Sequence, residues 1–310
     1  VRLAYAEFEE PRCALPWLVL VRFGKWGEVL ARSLPVCTPS PEEPTPFVTI
    51  AFAHWAKAIA LGALGRVDEA RAAAAAFADA VAAVPSSRHV HMVPSRLSLE
   101  IAATMLDGEL AYREKDYNHA FLCLRRAVAL EDALPYDEPP GWLTPVRHAL
   151  GALLLERATE MRDAAESGQP RFATAARVML REAEMVYRAD LVHHPHNLWA
   201  LHGLRACLRE SGSHRFEEAG VVGAQYRAAA ARSDMPPLGA SCFCAVRHAG
   251  RQPSAEEEEE QDGSACARAT CTRHQQRLGV FRAIPGWLRA DACIEVAAVV
   301  ASIAVAYYKY

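Results

Sequence analysis

The feature that most constrains how this chain can fold is a helical pattern that recurs with one internal spacing. The stretches 51–85 and 100–135 each place small residues twelve positions apart, with another small or apolar residue seven positions later. These positions are Ala58, Ala70 and Phe77 in the first stretch and Gly108, Ala120 and Ala127 in the second. Small residues let two helix axes approach to about 8–10 Å. The spacing therefore predicts pairs of closely packed helices joined by short turns.

The pattern divides residues 1–234 into units of one helix pair each. The expected units are a partial one at 15–35 and complete ones at 51–85, 100–135, 145–195 and 197–232. The unit at 145–195 carries an insert at 159–178 between its helices. The small residues expected to lie between paired helices are Ala58, Ala70, Gly108, Ala120, Ala127, Gly151, Ala183, Gly203 and Ala219. Apolar residues three and four positions apart supply the buried face of each helix.

The composition favours an all-α fold. Ala, Leu, Arg and Glu, which favour helices, dominate the chain, and runs of β-branched and aromatic residues are scarce. The formal net charge is −3, with acidic and basic residues interspersed. A surface of that kind does not hold a phosphate backbone, so nucleic acid is not expected as a partner.

Two stretches, "YDEPPGWLTPVRHALGALLLE" and "AEMVYRADLVHHPHNLWALHGLRACLRESG", together with the repeated units, resemble the tetratricopeptide repeat family. They are similar to the closing repeats of tetratricopeptide proteins common in bacteria, although His196, Leu198 and the insert depart from that pattern. The resemblance implies an α-solenoid whose first helices line a concave groove. It also implies a non-catalytic scaffold that binds a protein or peptide in that groove.

Residues of the first helices that the helix-pair core does not need are the candidates for ligand contact, together with one tryptophan in a connecting loop. They are Glu109, Tyr112, Arg113, Trp142, Arg147, His148, Glu156, Arg205 and Arg209. Because guanidinium groups match carboxylates, these arginines predict a ligand that carries acidic residues beside an apolar anchor. In the alternative interpretation, the arginines are solvated residues paired with nearby glutamates.

The loop at 135–145 interrupts two helical stretches and is rich in proline. Proline lacks the amide donor, so the loop ends one helix, and Thr144 is expected to cap the next. Asp137 and Glu138 are sequence neighbours that point in different directions, which argues against a paired-acid catalytic site. Trp142 is expected either to pack between repeats or to anchor a ligand.

No metal, cofactor or small-molecule substrate is expected, and the chain is not expected to be an enzyme. The histidines His193, His194, His196 and His202 lie across an interhelical turn without the spacing of a zinc site. The cysteines of the tail are not spaced as a zinc knuckle either; they include Cys242, Cys244, Cys266 and Cys271. Glycine-rich phosphate loops and catalytic-serine motifs are not found in the sequence.

The part of the chain after Asp234 matches no repeat. We expect 235–277 to be a disordered, acidic, cysteine-containing linker and 278–310 to be a short apolar helix or tail. The apolar run 296–308 is shorter than the roughly 17–25 residues that span a membrane, so membrane association through this segment is only an alternative. The nine cysteines without a leader predict a reducing, cytoplasmic location. The start at Val1 predicts a missing N-terminal region, and a second alternative is therefore an accessory part of a larger enzyme.

Overall fold

The computed structural model describes residues 10–35 and 45–233, which form ten α-helices and one short β-hairpin. The helices are α1 (Leu15–Arg22), α2 (Trp26–Ala31), α3 (Phe47–Ala63), α4 (Val67–Ala82), α5 (Ser95–Arg113), α6 (Tyr117–Asp132), α7 (Val146–Glu166), α8 (Ala173–His193), α9 (Leu198–Glu210) and α10 (Phe216–Ala230). The strands β1 (His89–Val90) and β2 (Val93–Pro94) pair antiparallel. The all-α prediction is confirmed for this part of the chain. The segments 235–277 and 278–310, with their cysteines and apolar run, lie outside the described residues.

Helices α3 to α10 form four consecutive pairs. The paired helices α3/α4, α5/α6, α7/α8 and α9/α10 pack along their lengths. Each later pair also rests on the one before it, because its first helix contacts the second helix of the preceding pair. The N-terminal segment packs on α3, where the Glu10 carboxylate accepts hydrogen bonds from the amides of Val48 and Thr49 at 3.3 and 2.7 Å. These bonds satisfy two amides that the first turn of a helix leaves without partners.

The small residues expected between paired helices are buried. The alanines Ala58, Ala70, Ala120, Ala127 and Ala183 have no exposed surface, and Ala219 is buried as well. A Cβ atom added to Gly108 would lie 2.9 Å from Cγ of Leu124 and 3.0 Å from the Ala120 carbonyl oxygen. At this crossing, α5 and α6 are therefore too close for any side chain larger than hydrogen.

One tyrosine links three helices at two glycines. The ring of Tyr187, on α8, is fully buried between α7 and α9. A Cβ atom on Gly151 would lie 2.7 Å from Cζ of this ring, and one on Gly203 would lie 2.5 Å from Cε1. Both glycines are needed because the ring fills the space that their side chains would occupy.

If Thr144 were the N-cap of α7, the helix would begin at Pro145, but it begins one residue later, at Val146. Pro145 occupies the N-cap position, and the amide of Val146 donates to the Glu131 carboxylate at 3.0 Å. The Thr144 hydroxyl is buried without a hydrogen-bond partner among the described residues. The expectation that Thr144 caps this helix is therefore wrong, because a side chain from α6 supplies the acceptor. Burial raises the pKa of Glu131 to about 8.

The insert expected at 159–178 is mostly helical rather than a loop. Helix α7 continues to Glu166 and α8 already begins at Ala173, so only a short turn separates them. Ion pairs between Arg157 and Glu160, and between Arg162 and Glu166, support the last turns of α7. The extra residues therefore lengthen both helices of this pair. None of the described helices combines the length and apolar character that a membrane crossing needs.

Candidate binding surface

The residues expected to line a ligand groove are not gathered on one open surface. Trp142, the expected plug or anchor, is buried, and its ring packs edge-on against Trp55 with centroids 5.3 Å apart. A second contact joins Trp142 to Phe52, 6.2 Å between centroids. Because both partners lie on α3, the Trp142 ring joins the loop before α7 to a helix two pairs earlier in the array. It packs inside the protein and does not face a ligand.

His148 is also buried, and it connects α1, near the start of the described chain, to α8. Its Nδ1 accepts a hydrogen bond from Nη1 of Arg22, on α1, at 2.8 Å. Since a guanidinium group can only donate, the proton of the neutral imidazole must be on Nε2. That Nε2–H donates to Oδ2 of Asp190 at 2.9 Å, and His194 contacts the other Asp190 oxygen at 3.1 Å.

The electrostatics of this cluster favour a neutral imidazole beside an ionised carboxylate. Burial lowers the pKa of His148, and the Arg22 guanidinium lowers it further. Burial alone would raise the pKa of Asp190, but contact with His148 and His194 lowers it below its usual range. Trp199 closes the cluster, with the Arg22 guanidinium 4.0 Å from the centre of its ring. The cluster thus holds α1 against α7, α8 and α9.

A second group of groove candidates lies at the C-terminal end of α5. Tyr112 is buried and its hydroxyl donates to the Glu156 carboxylate at 3.1 Å. Its ring packs edge-on against Tyr117 at 5.2 Å. Glu109 is buried with one carboxylate oxygen lacking a hydrogen-bond partner among the described residues. Burial raises the pKa of Glu109 to about 7, although the Arg113 charge opposes this.

The remaining candidate arginines make contacts within the chain. Arg147 forms two hydrogen bonds with Asp132, both of 2.7 Å. The Arg113 guanidinium lies 5.6 Å from the centre of the Tyr112 ring. Arg205 and Arg209 are partly buried and also interact with other residues of the chain. Arg147 therefore pairs within the chain with an aspartate of α6, whereas the alternative interpretation expects solvated arginines paired with nearby glutamates.

The outer face of α8 has a different character, because large apolar side chains are exposed along it. Val178, Met185 and Val192 are 58%, 63% and 79% exposed. Seven residues rotate a helix by 700°, only 20° short of two full turns, so the three side chains project in nearly the same direction. They form a stripe about 21 Å long at 1.5 Å per residue. We call these three residues the α8 stripe.

Ion pairs flank the α8 stripe on both sides. Towards α6, Glu182 receives two hydrogen bonds from Arg125, at 2.6 and 2.8 Å. Towards α10, Arg188 pairs with Glu184 and with Glu218. These contacts hold α8 against its neighbours and leave the apolar stripe between them. An apolar centre with a polar rim is the usual anatomy of a protein–protein contact surface.

Arg181 lies within the same face, between Val178 and Met185. It is exposed and forms no ion pair within residues 10–35 and 45–233. The α8 stripe therefore combines apolar side chains with one positive charge that is available to a partner.

A cleft of about 390 Å³ lies between the extended ends of α7 and α8. Its apolar lining includes Ala158, Ala176 and Leu180. Arg162 and Glu210, which also line the cleft, form an ion pair with each other. The cleft exists because the insert lengthens these two helices.

The histidines around the α8–α9 turn do not converge on one point. His194 contacts Asp190, His193 lies beside His194 with ring centres 6.4 Å apart, and His202 packs against Tyr226. Burial lowers the pKa of His202 to about 4, and the Arg205 charge contributes.

Sequence reasoning missed a group that does converge, formed by Asp107, His119 and Cys123. The twelve-residue spacing that brings Gly108 opposite Ala120 also brings Asp107 opposite His119, so the sequence held the signal. Sequence reasoning missed the α8 stripe as well, although its seven-residue spacing is visible.

No protein-family model matches the chain, and neither the curated proteins nor the solved structures provide a match.

Proposed function

We propose that this protein is a non-catalytic scaffold of the tetratricopeptide type, with helix pairs stacked as an α-solenoid, and that it binds a partner protein through the outer face of α8. The succession of helix pairs and the small residues at their crossings support this architecture. The observation that carries the binding surface is the α8 stripe, three exposed apolar side chains in line on one helix.

The groove candidates are less suited to partner binding than the outer face of α8. Four of the nine groove candidates are buried, namely Glu109, Tyr112, Trp142 and His148. A partner would have to displace packed aromatic rings before it reached them. The α8 stripe needs no such rearrangement, because its side chains are already in contact with water.

The chemistry of the α8 stripe defines the partner segment that fits it. An amphipathic helix with apolar residues at seven-residue spacing can lie along Val178, Met185 and Val192. A carboxylate one turn from such an anchor would reach Arg181. The ligand is therefore an acidic amphipathic helix. This ligand has the acidic residues beside an apolar anchor that the sequence predicts, but it binds the outer face of α8 and not the groove.

The buried cluster around His148 supports a non-catalytic role. Its imidazole nitrogens contact Arg22 and Asp190, and neither His148 nor Asp190 is exposed. A general acid or base must come within hydrogen-bond reach of its substrate. This cluster is better suited to holding helices together than to proton transfer.

The experiment compares capture of partner proteins by charge variants of the full chain. The double variant Met185→Glu/Val192→Glu places two carboxylates in the α8 stripe. The matched control, Ala75→Glu/Ala78→Glu, adds the same charge at exposed positions of α4. We expect a partner that wild type and control retain and the stripe variant loses. Arg181→Ala should weaken capture more at low salt than at high salt, because it removes a charge contact.

Two results would contradict the proposal. A partner captured equally by all three proteins would place binding elsewhere on the chain. If the captured protein were a second copy of this chain, the α8 stripe would be a self-association surface and not a site for another protein.

A further inference from the structure

An aspartate, a histidine and a cysteine meet where α5 packs on α6. Asp107 lies on α5, and His119 and Cys123 lie one turn apart on α6. Nε2 of His119 is 2.8 Å from Oδ2 of Asp107 and 3.5 Å from Sγ of Cys123. The sulfur is also 3.5 Å from that aspartate oxygen. Three atoms that bind metals thus face one point.

These separations resemble the edges of a tetrahedral zinc site. Bonds of about 2.3 Å to sulfur and about 2.0–2.1 Å to nitrogen or oxygen imply ligand atoms roughly 3.5 Å apart when sulfur is one of them. Both sulfur separations in this group have that value. The same bonds imply roughly 3.3 Å between nitrogen and oxygen, so the His119–Asp107 contact would open by about 0.5 Å around an ion. Both side chains are partly exposed and can move by that amount.

The arrangement does not suit a catalytic cysteine. In a nucleophile–histidine–acid relay, the nucleophile and the acid use different nitrogens of the ring. Here Cys123 and Asp107 both lie closest to Nε2, since Nδ1 is 3.9 Å from the sulfur. Three side chains whose polar atoms converge on one point are arranged as metal ligands are.

An outer partner orients the aspartate. Nη1 of Arg71, on α4, donates to Oδ1 of Asp107 at 3.2 Å and leaves Oδ2 directed at the other two groups. Arg71 also makes two hydrogen bonds to Glu114, of 2.8 and 2.6 Å. With a divalent ion bound, the charges of the ion and Arg71 would balance those of Glu114, Asp107 and a Cys123 thiolate. Such outer contacts commonly fix metal-ligating side chains.

We propose that Asp107, His119 and Cys123 form a zinc site with three protein ligands. A thiolate with an imidazole selects zinc over calcium or magnesium, which prefer oxygen ligands. His119 and Asp107 are half-exposed, so the fourth position faces solvent and takes water or a group from a partner. The site lies on helices other than α8 and does not depend on the scaffold function.

The test uses Co²⁺ as a spectroscopic probe and Zn²⁺ in competition. The full chain is prepared with serine at the six cysteines outside the described residues, Cys37, Cys242, Cys244, Cys266, Cys271 and Cys293. We expect one bound Co²⁺ with a near-ultraviolet thiolate charge-transfer band and the visible bands of four-coordinate cobalt. Zn²⁺ should displace it and abolish both.

Single substitutions in this background assign the ligands. Cys123→Ser should abolish the charge-transfer band. His119→Gln should weaken Zn²⁺ binding by at least roughly 100-fold, because loss of a residue that only contacts a metal ligand can already weaken binding by that factor. The matched controls Cys13→Ser and His214→Gln, at exposed positions, should bind as the parent does.

Two outcomes would overturn the site. One is the absence of a charge-transfer band in the parent chain. The other is an unchanged affinity in both ligand variants. His119→Gln, at a half-exposed position, carries the test alone if Cys123→Ser fails to fold, as judged by circular dichroism.

Discussion

Replacing Gly203 with alanine should destabilise the protein, although alanine is the better helix former. The added Cβ would lie 2.5 Å from Cε1 of Tyr187. Ordinary carbon contacts are about 3.5–4.0 Å, so the ring or the helix must move by about 1 Å or more. The ring cannot retreat towards α7, because Gly151 already meets its other side.

The magnitude follows from two opposing effects. Overpacking a core costs about 1–3 kcal/mol, and the upper end applies because the ring is enclosed on both sides. Glycine to alanine in a helix interior gains about 1 kcal/mol. We therefore expect the free energy of unfolding of Gly203→Ala to fall by about 2 kcal/mol.

The matched control is Gly220→Ala on α10, where an added Cβ would meet no atom of the described residues within 4 Å. This variant should be more stable than wild type by about 0.5–1 kcal/mol, since only the helix propensity changes. Urea unfolding followed by far-ultraviolet circular dichroism measures both variants. The reasoning is refuted if Gly203→Ala is as stable as wild type or more so. In a Tyr187→Leu background the penalty at Gly203 should disappear, because the clash is with the ring.

Three other substitutions have defined outcomes. Glu109→Gln should raise the free energy of unfolding by about 1–3 kcal/mol at pH 8 and by much less at pH 5. Folding raises the pKa of this carboxyl from 4.5 to about 7, so between these values the unfolded chain releases a proton that the folded chain keeps, and stability is lost as pH rises across that interval. Equal gains at both pH values would contradict this. His202→Gln should reduce the fall in the free energy of unfolding as pH drops from about 6.5 towards 4. In that range the unfolded chain takes up a proton that the folded imidazole, with its pKa of about 4, does not. An unchanged pH dependence of the free energy of urea unfolding would count against this. Trp142→Ala should lower the free energy of urea unfolding by about 3–5 kcal/mol. Tyr136 is exposed in the same loop, so Tyr136→Ala should lower it by less than about 0.5 kcal/mol. Similar losses in both variants would mean that Trp142 does not pack as described.

Features set by short-range spacing could be predicted from the sequence. The positions of Gly108 and Ala120 imply a close crossing within one helix pair, because the turn between the two helices fixes which residues face each other. The same spacing predicts close helix crossings at Gly151 and Gly203. It does not predict that the ring of Tyr187 packs against both glycines.

Contacts between distant parts of the chain could not be predicted in this way. Arg22 and His148 are 126 positions apart, and no periodic pattern links a residue of α1 to one of α7. The burial of His148 was missed because the repeat pattern places it on a face expected to be open. That face is closed by Arg22 and Trp199, whose positions depend on how the pairs stack.

The helical character of the insert and the presence of the α8 stripe were missed for local reasons. Ser167 and Gly168, which favour a loop, form only the turn between two longer helices. The seven-residue spacing of Val178, Met185 and Val192 looks like a buried face until the opposite face of α8, which carries Tyr187, is known to be the packed one.

The central claim is that the outer face of α8 contacts a partner protein, and site-specific photo-cross-linking tests it most directly. A benzoylphenylalanine is placed at Met185 in the full chain, and in a matched protein at Ala78, an exposed position on α4. After irradiation in cells that express the chain, the account predicts a discrete adduct with another protein from position 185 and none from position 78. The same adducts from both positions, or none from position 185, would contradict it.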